Sequence, residues 1–235
     1  MRQWAYEWAK RGVDLVGSSL ALLVLLPGLP LVALAIRLDS RGPVFYGAPR
    51  VGRHGRPFLM WKFRTMVADA DHRPGAINVS DHDGRVTRVG LLLRRSKVNE
   101  LPQFLNVLTG EMSLVGPRPE VEHYVRQFTD EEREILTVRP GLIDWATLRF
   151  SDMGTLLASS EDPDHVYETQ VRPQVLCAQL AYVRTRGFRQ DMRILMSGLR
   201  QLFFLPVARR FSHVASLLGI SRAGRPPVDS DLREG

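Results

Sequence analysis

An apolar run from Val13 to Ile36, relieved only by Asp14, Ser18 and Ser19, constrains this chain more than any other feature. About 20 apolar residues cross the hydrocarbon of a bilayer as a helix, so the run is long enough to enter one. Pro27, followed by Gly28 and Pro30, sits mid-run, where it removes helix hydrogen bonds and bends the axis. Either half alone, at ~20 Å, is too short to cross. Lys10 and Arg11 precede the run, and Arg37, Arg41, Arg50, Arg53 and Arg56 follow it. Cations stay on the cytoplasmic side, which places both flanks on one face. A re-entrant helix that enters, breaks at Pro27 and leaves by the same face satisfies both observations. A single span is the first alternative. A cleaved signal peptide is the second, since Ala33-Leu34-Ala35 mimics a small-residue cleavage site. Trp4, Tyr6 and Trp8 suit a membrane interface, with rings at headgroup depth.

Beyond the run, 235 residues suffice for one domain with a real core. The expected organisation is an anchor over 1–40, a catalytic domain over 41–220 and a disordered tail over 221–235. Pro43–Gly47 and Arg56–Met66 read as strands, Val67–Arg85 as a loop and Val86–Lys97 as a short helix. Phe128–Val138 reads as a charged helix capped by Thr129 or Asp130, and Val171–Arg186 as another. Phe188–Leu218 alternates apolar residues with arginines, as amphipathic helices do. The fold class is therefore α+β, predominantly helical, on a monotopic anchor. A net charge of +7 asks for polyanionic partners: phosphorylated substrates or anionic membrane lipid. Nucleic acid is not expected, because no zinc-finger, helix-turn-helix or aromatic RNP pattern is present. The single cysteine, Cys177, excludes an internal disulfide and is expected as a buried small apolar residue.

The chemistry concentrates between Ser96 and Glu120, in SKVNELPQFLNVLTGEMSLVGPRPE. Asn99 is a good N-cap for a helix from Glu100 to Thr109, Pro102 fits its first turn and Gly110 its C′ position. Leu101, Phe104, Leu105 and Leu108 would then form its buried face. Glu100 is left without a structural task, at a helix start where anions and cations meet. Arg118 stands between Pro117 and Pro119 on a stiff turn that aims its guanidinium at low entropic cost. Lys62 and Arg64 share one side of an extended segment by the two-residue period, and Arg94 precedes the cap. Cations gathered around one carboxylate suit a diphosphate bound with a divalent ion.

With these motifs placed, KFRTM, VTRVGLLLRRSKVNELPQFLNVLTGEMSLVGPRPE and RPGLIDWA closely resemble the bacterial sugar transferases. These are monotopic polyprenyl-phosphate hexose-1-phosphate transferases, or small phosphoglycosyl transferases. The resemblance runs from Lys10-Arg11 to about Leu202, and Pro27 matches the family's helix break. It implies transfer of a sugar 1-phosphate from a UDP-sugar to a polyprenyl (undecaprenyl) phosphate, releasing UMP. Mg²⁺ is the implied cofactor, with Glu100 as its ligand. That reaction initiates exopolysaccharide, capsule, O-antigen or glycoconjugate assembly at the cytoplasmic face of the inner membrane. By the same match, Glu100 and Asn99 occupy the catalytic dyad. Lys62, Arg64, Arg94, Pro117, Arg118, Pro119 and Arg139 are carried over as substrate-binding residues. Other glycosyltransferases or a second copy of the chain are further expected partners.

Two positions depart from the family pattern. Asn99 stands where the family carries its nucleophilic Asp, and a neutral amide has no anionic oxygen for phosphorus. Glu100 as nucleophile, direct attack by the lipid phosphate, and an impaired chain acting as a membrane scaffold are the open outcomes. After Arg139-Pro140-Gly141-Leu142 this chain continues Ile143-Asp144-Trp145, where many relatives have Thr-Gly.

Overall fold

The structure, a computed structural model, describes residues 3–73, 83–149 and 162–201. The chain opens with helix α1 (Gln3–Leu25), a single 3₁₀ turn at Leu26–Gly28, and α2 (Leu29–Asp39). Pro27 falls inside that turn, where a missing N–H is tolerated, and Leu25, Gly28 and Leu29 keep right-handed helical dihedrals. Together Gln3–Asp39 is long and apolar enough to cross a membrane.

Two of the three polar residues of the apolar run, Asp14 and Ser18, lie on one buried stripe, while Ser19 is exposed. Tyr6, Asp14 and Ser18 are buried while Leu23, Val24 and Leu31 are each more than two-thirds exposed. Asp14 accepts hydrogen bonds from the Ser113 hydroxyl (3.0 Å) and the Leu114 N–H (2.9 Å). Gly17 passes so close to Leu114 that a Cβ would stand 2.7 Å from its side chain. Farther on, Leu29, Val32 and Ile36 of α2 pack with Phe63 and Leu93. The two ends of the apolar stretch thus rest on one body and its middle projects from it.

That body is mixed, mostly helical with two small sheets. Strands β1 (Phe45–Val51) and β2 (Pro57–Phe63) form an antiparallel hairpin in which Tyr46 faces Lys62 and Arg50 faces Phe58. Next come α3 (Arg88–Arg95), capped by Thr87 through the Gly90 N–H, and α4 (Gln103–Thr109). Strand β3 (Ser113–Val115) pairs in parallel with β4 (Gly141–Ile143), and the short helix α5 (Glu122–Val125) lies between them in sequence. Helix α6 (Trp145–Arg149) follows β4. A helical turn at Pro163–Val166 leads through a π turn, Tyr167–Val171, into α7 (Arg172–Thr185), and α8 covers 188–201. The main core gathers Ala48, Met60, Val107, Met112, Val115 and Ile194. Residues Met1–Met196 form one compact unit, and a second begins at Ser197, of which 197–201 are described as helix.

Several expectations need correction. Asn99 does not cap a helix: it lies inside a 3₁₀ turn, Val98–Glu100, entered through Lys97 at φ 61°, and α4 begins only at Gln103. Pro102 holds the position before α4, while Gly110, at φ 87°, ends it as expected. The buried face of α4 carries Gln103, Asn106 and Val107, whereas Leu105 is exposed. The reason is the edge of β2. Asn106 accepts from the Trp61 N–H and donates to the Leu59 carbonyl, taking the place of a neighbouring strand. The expected helix over Phe128–Val138 is a 3₁₀ stretch, Glu132–Thr137, whose N-cap position is Glu131; Thr129 and Glu132 exchange hydrogen bonds across the turn that precedes it. Cys177 is exposed on α7, because Val175, Leu176 and Gln179 occupy the inward positions around it. The tail over 221–235, most of the loop before Asp83 and the end of Phe188–Leu218 lie outside the described residues.

Candidate active site

The site forms where the 3₁₀ turn before α4, the Gly-Pro-Arg-Pro turn after β3 and the end of β2 converge. Glu100 receives the guanidinium of Arg118 as a fork, with Nη2 2.5 Å from Oε1 and Nη1 3.3 Å from Oε2. The Lys62 ammonium stands 3.9 Å from the same carboxylate. All three are partly buried, with side-chain exposures of 32% for Arg118, 22% for Glu100 and 19% for Lys62.

Burial alone would raise the Glu100 carboxyl, but the charges of Arg118 and Lys62 and the Arg118 hydrogen bonds outweigh it and hold the group at about 2. Glu100 is therefore a carboxylate under any working condition. Burial pushes the Lys62 ammonium down to about 7. Glu100 opposes that, and the positive fields of Arg118, Arg50 and Arg94 reinforce it. Arg118 itself is raised, chiefly by Glu100. The site thus holds a permanent anion, a permanent cation and one cation poised to titrate.

The turn bearing Arg118 is fixed from behind. The Arg118 N–H donates to Asp144 Oδ2 (3.2 Å), and the same carboxylate accepts from Gln179 Nε2 (3.1 Å) and, through Oδ1, from the Thr147 N–H (2.5 Å). Asp144 is 1% exposed, so the loop that departs from the family pattern supplies a buried brace for Arg118. Gly116 and Gly141 let two backbones touch: a Cβ on Gly141 would lie 2.1 Å from Gly116 N. The Gly141 N–H then donates to the Pro117 carbonyl at 2.8 Å. Pro117 and Pro119 flank the arginine on that turn.

The other candidate residues are distributed differently. Asn99 adjoins Glu100 and is buried, and its Oδ1 has no hydrogen-bond partner. Arg94 contributes its field to Lys62. Arg64 is not beside Lys62: it follows the last residue of β2 and turns to Pro43 O (2.5 Å), Ser40 Oγ (2.7 Å) and Ser40 O (2.9 Å). It braces the α2–β1 connection, because the two-residue period ends with the strand at Phe63. Arg139 points away from Glu100, and its Nε donates to the Gly110 carbonyl at 3.0 Å. Two contributors escaped the sequence reading. Arg50 acts electrostatically on Lys62 and Arg118, and the hairpin register, which puts it on the same face as Lys62, was its only signal. Asp144 had only its place in the departing Ile143-Asp144-Trp145 stretch, which does not show that it braces the turn from behind.

For Mg²⁺, the donor set is one carboxylate, Glu100, beside one orphaned amide oxygen, Asn99 Oδ1. Among the described residues no group of three or more His, Cys, Asp or Glu side chains could hold a metal ion. That is too few ligands for an all-protein cage. It does match a cation that keeps waters and completes its shell with substrate phosphates.

Comparison with known proteins follows the same lines. The chain is 39% identical over 84% of its length to an undecaprenyl-phosphate glucose phosphotransferase of Komagataeibacter xylinus, of which it spans 37%. It is 37% identical over 84% of its length to a UDP-glucose:undecaprenyl-phosphate glucose-1-phosphate transferase of Caulobacter vibrioides, spanning 71% of that protein. It is also 40% identical over 79% of its length to exopolysaccharide production protein PSS of Rhizobium leguminosarum, spanning 90% of it. The chain therefore covers only about a third of some relatives, such as the first, and most of others. The bacterial sugar transferase model matches residues 5–204, which include the apolar helix, Lys62, Glu100 and the Arg118 turn alike. The chain belongs to the bacterial sugar transferase family.

Proposed function

We propose that this protein transfers a sugar 1-phosphate from a UDP-sugar to a polyprenyl phosphate, giving a polyprenyl-diphosphate sugar and UMP. The Glu100–Arg118–Lys62 cluster carries this reading. Arg118 and Lys62 supply the fork and the point charge that a diphosphate requires. Glu100 would be the residue to hold Mg²⁺, with the buried, unpartnered Asn99 Oδ1 as the second candidate ligand. When bound, the cation would neutralise charge on the phosphate oxygens.

The attacking oxygen is assigned to the lipid phosphate. Asn99 has no anionic oxygen, and Glu100 is engaged by Arg118 and Lys62 and is the residue that would hold the cation. A polyprenyl phosphate arrives already ionised. Its oxygen bonds to the β-phosphorus, the bond from that phosphorus to the bridging oxygen breaks, and UMP leaves with the electron pair. No proton has to be removed, so a site of cations with no general base suffices.

The exposed apolar middle of α1 and α2 supports a bilayer as the location, both ends resting on one body support a re-entrant path, and the basic flanks Lys10, Arg11, Arg37 and Arg41 support the cytoplasmic face. The relatives cited by activity are named as sugar-phosphate transferases, and nothing favours the scaffold alternative. The test is UMP release by the full chain with a panel of UDP-sugars, Mg²⁺ and undecaprenyl phosphate. UMP is expected only when the lipid phosphate is present, and Glu100→Gln should lower the rate at least about a hundredfold. Absence of UMP with every common UDP-sugar would overturn the proposed activity. A stoichiometric burst without lipid would overturn the direct attack.

A further inference from the structure

A second gathering of cations lies apart from Glu100, around a cleft walled by α1, β3, the segment that leads into β4, Arg53 and the end of α7. Lys10, Arg11, Arg53, Arg139 and Arg186 line it, each half-buried. Two carboxylates share the wall, Glu7 and Asp14, and Asp14 is engaged by Ser113 and Leu114. Lys10 is neutralised by Asp191 at 2.7 Å.

The four arginines are held otherwise. Arg11 donates to the carbonyls of Val107 (2.6 Å) and Leu108 (2.8 Å), Arg53 to Thr137 O (3.0 Å), Arg139 to Gly110 O (3.0 Å) and Arg186 to Val183 O (2.5 Å). A carbonyl orients a guanidinium without cancelling its charge, and each guanidinium has five N–H donors to distribute. Among the described residues no carboxylate forms an ion pair with any of these four. Four oriented, half-buried positive charges beside two carboxylates, Glu7 and Asp14, leave an excess of positive charge in the cleft. Only an anion with several acceptor oxygens answers it, and planar guanidinium forks fit phosphate best.

The position narrows the source. Trp4 and Trp8, both exposed, lie on α1 beside the cleft residues, and the exposed apolar turns of the same helix follow. That sequence of aromatic, cationic and aliphatic turns is the layering of a membrane interface, so the cleft sits at headgroup depth. We propose that this cleft is an anion site for a phosphate group, filled by the headgroup of a membrane lipid, with soluble phosphate as the competing source. The proposal does not depend on the transferase reading, since none of these side chains reaches Glu100 or Arg118.

The experiment uses the full chain in nanodiscs of phosphatidylcholine with or without phosphatidylglycerol. Phospholipid retained on the released protein is counted by native mass spectrometry, and thermal shifts are titrated with inorganic phosphate against chloride at equal ionic strength. Wild type should retain phosphatidylglycerol in preference to phosphatidylcholine. R53Q/R186Q should lose about tenfold or more of that preference, and R53K/R186K should keep most of it. Stabilisation by inorganic phosphate without a lipid preference would assign the same site to soluble phosphate. No response to either ligand, or an R53Q/R186Q chain that behaves as wild type, overturns the proposal. Should R53Q/R186Q fail to fold by circular dichroism, the wild-type titrations decide alone.

Discussion

With its ammonium pushed down to about 7 by burial and by neighbouring arginines, Lys62 exchanges its proton in the range where enzymes are ordinarily assayed. A diphosphate binds the charged form, so binding must draw a proton onto Lys62 once the pH exceeds that value. KM for the nucleotide sugar should then rise by up to about tenfold per pH unit above 7, and Lys62→Arg should flatten the profile. A KM that is constant to pH 9 in wild type would refute this. For folding, both partners are depressed, so both add stability as pH rises, in different windows. The unfolded state holds the Lys62 proton more tightly, so this group adds stability as pH rises from about 7 toward its ordinary 10.5. Glu100, depressed to about 2 from 4.5, adds stability that is full above 4.5 and disappears as pH falls toward 2. At this scale the sequence was informative where chemistry shows in local spacing. Glu100 stood without a structural task and Arg118 was stiffened by two prolines, and the fold brings them together. Arg64 and Arg139 were equally basic in sequence, but which way a side chain turns after a strand ends depends on tertiary carbonyls that no motif encodes.

Among the elements, the pairing of β3 with β4 sets the active turn. Gly116 and Gly141 approach so closely that any side chain on Gly141 must displace backbone, and the adjacent Gly141 N–H holds the Pro117 carbonyl. Gly141→Ala should cost about 1–3 kcal/mol, lower the melting temperature by several degrees and raise KM as the Arg118 turn moves. A variant with normal melting and normal KM would show that the contact relaxes freely. Asp144→Asn separates positioning from folding in the same place. The amide keeps the shape but weakens the acceptor for the Arg118 N–H, so KM should rise more than melting falls. Strands and helices were largely readable from period: β2, α3 and α7 lie within their expected ranges, while β1 starts two residues after Pro43 and runs on past Gly47 to Val51. The face of α4 was not. Its buried positions carry amides whose partners are backbone groups of β2, and apolar counting assigns such positions to solvent.

For the molecule as a whole, the apolar run predicted an anchor, and the buried stripe of Tyr6, Asp14 and Ser18 explains why that anchor contains polar residues. Cysteine labelling from one side of sealed vesicles, in a Cys177→Ala background, tests the path. Gly12→Cys and Arg41→Cys, both at exposed positions, should react from the same face, and Gly28→Cys should be protected by lipid. Reaction of the first two from opposite faces would establish a span instead. Asp191 bears on a different matter. It receives the hydroxyls of Tyr6 and Tyr182 and the ammonium of Lys10, so α1, α7 and α8 share one buried carboxylate. Such a joint means that α1 is not a leash. A protease that cut after α2 would liberate no working enzyme, because the detached segment would carry Tyr6, Lys10 and Asp14 out of the interior along with the tether. Separating the anchor from the domain therefore means unfolding the domain.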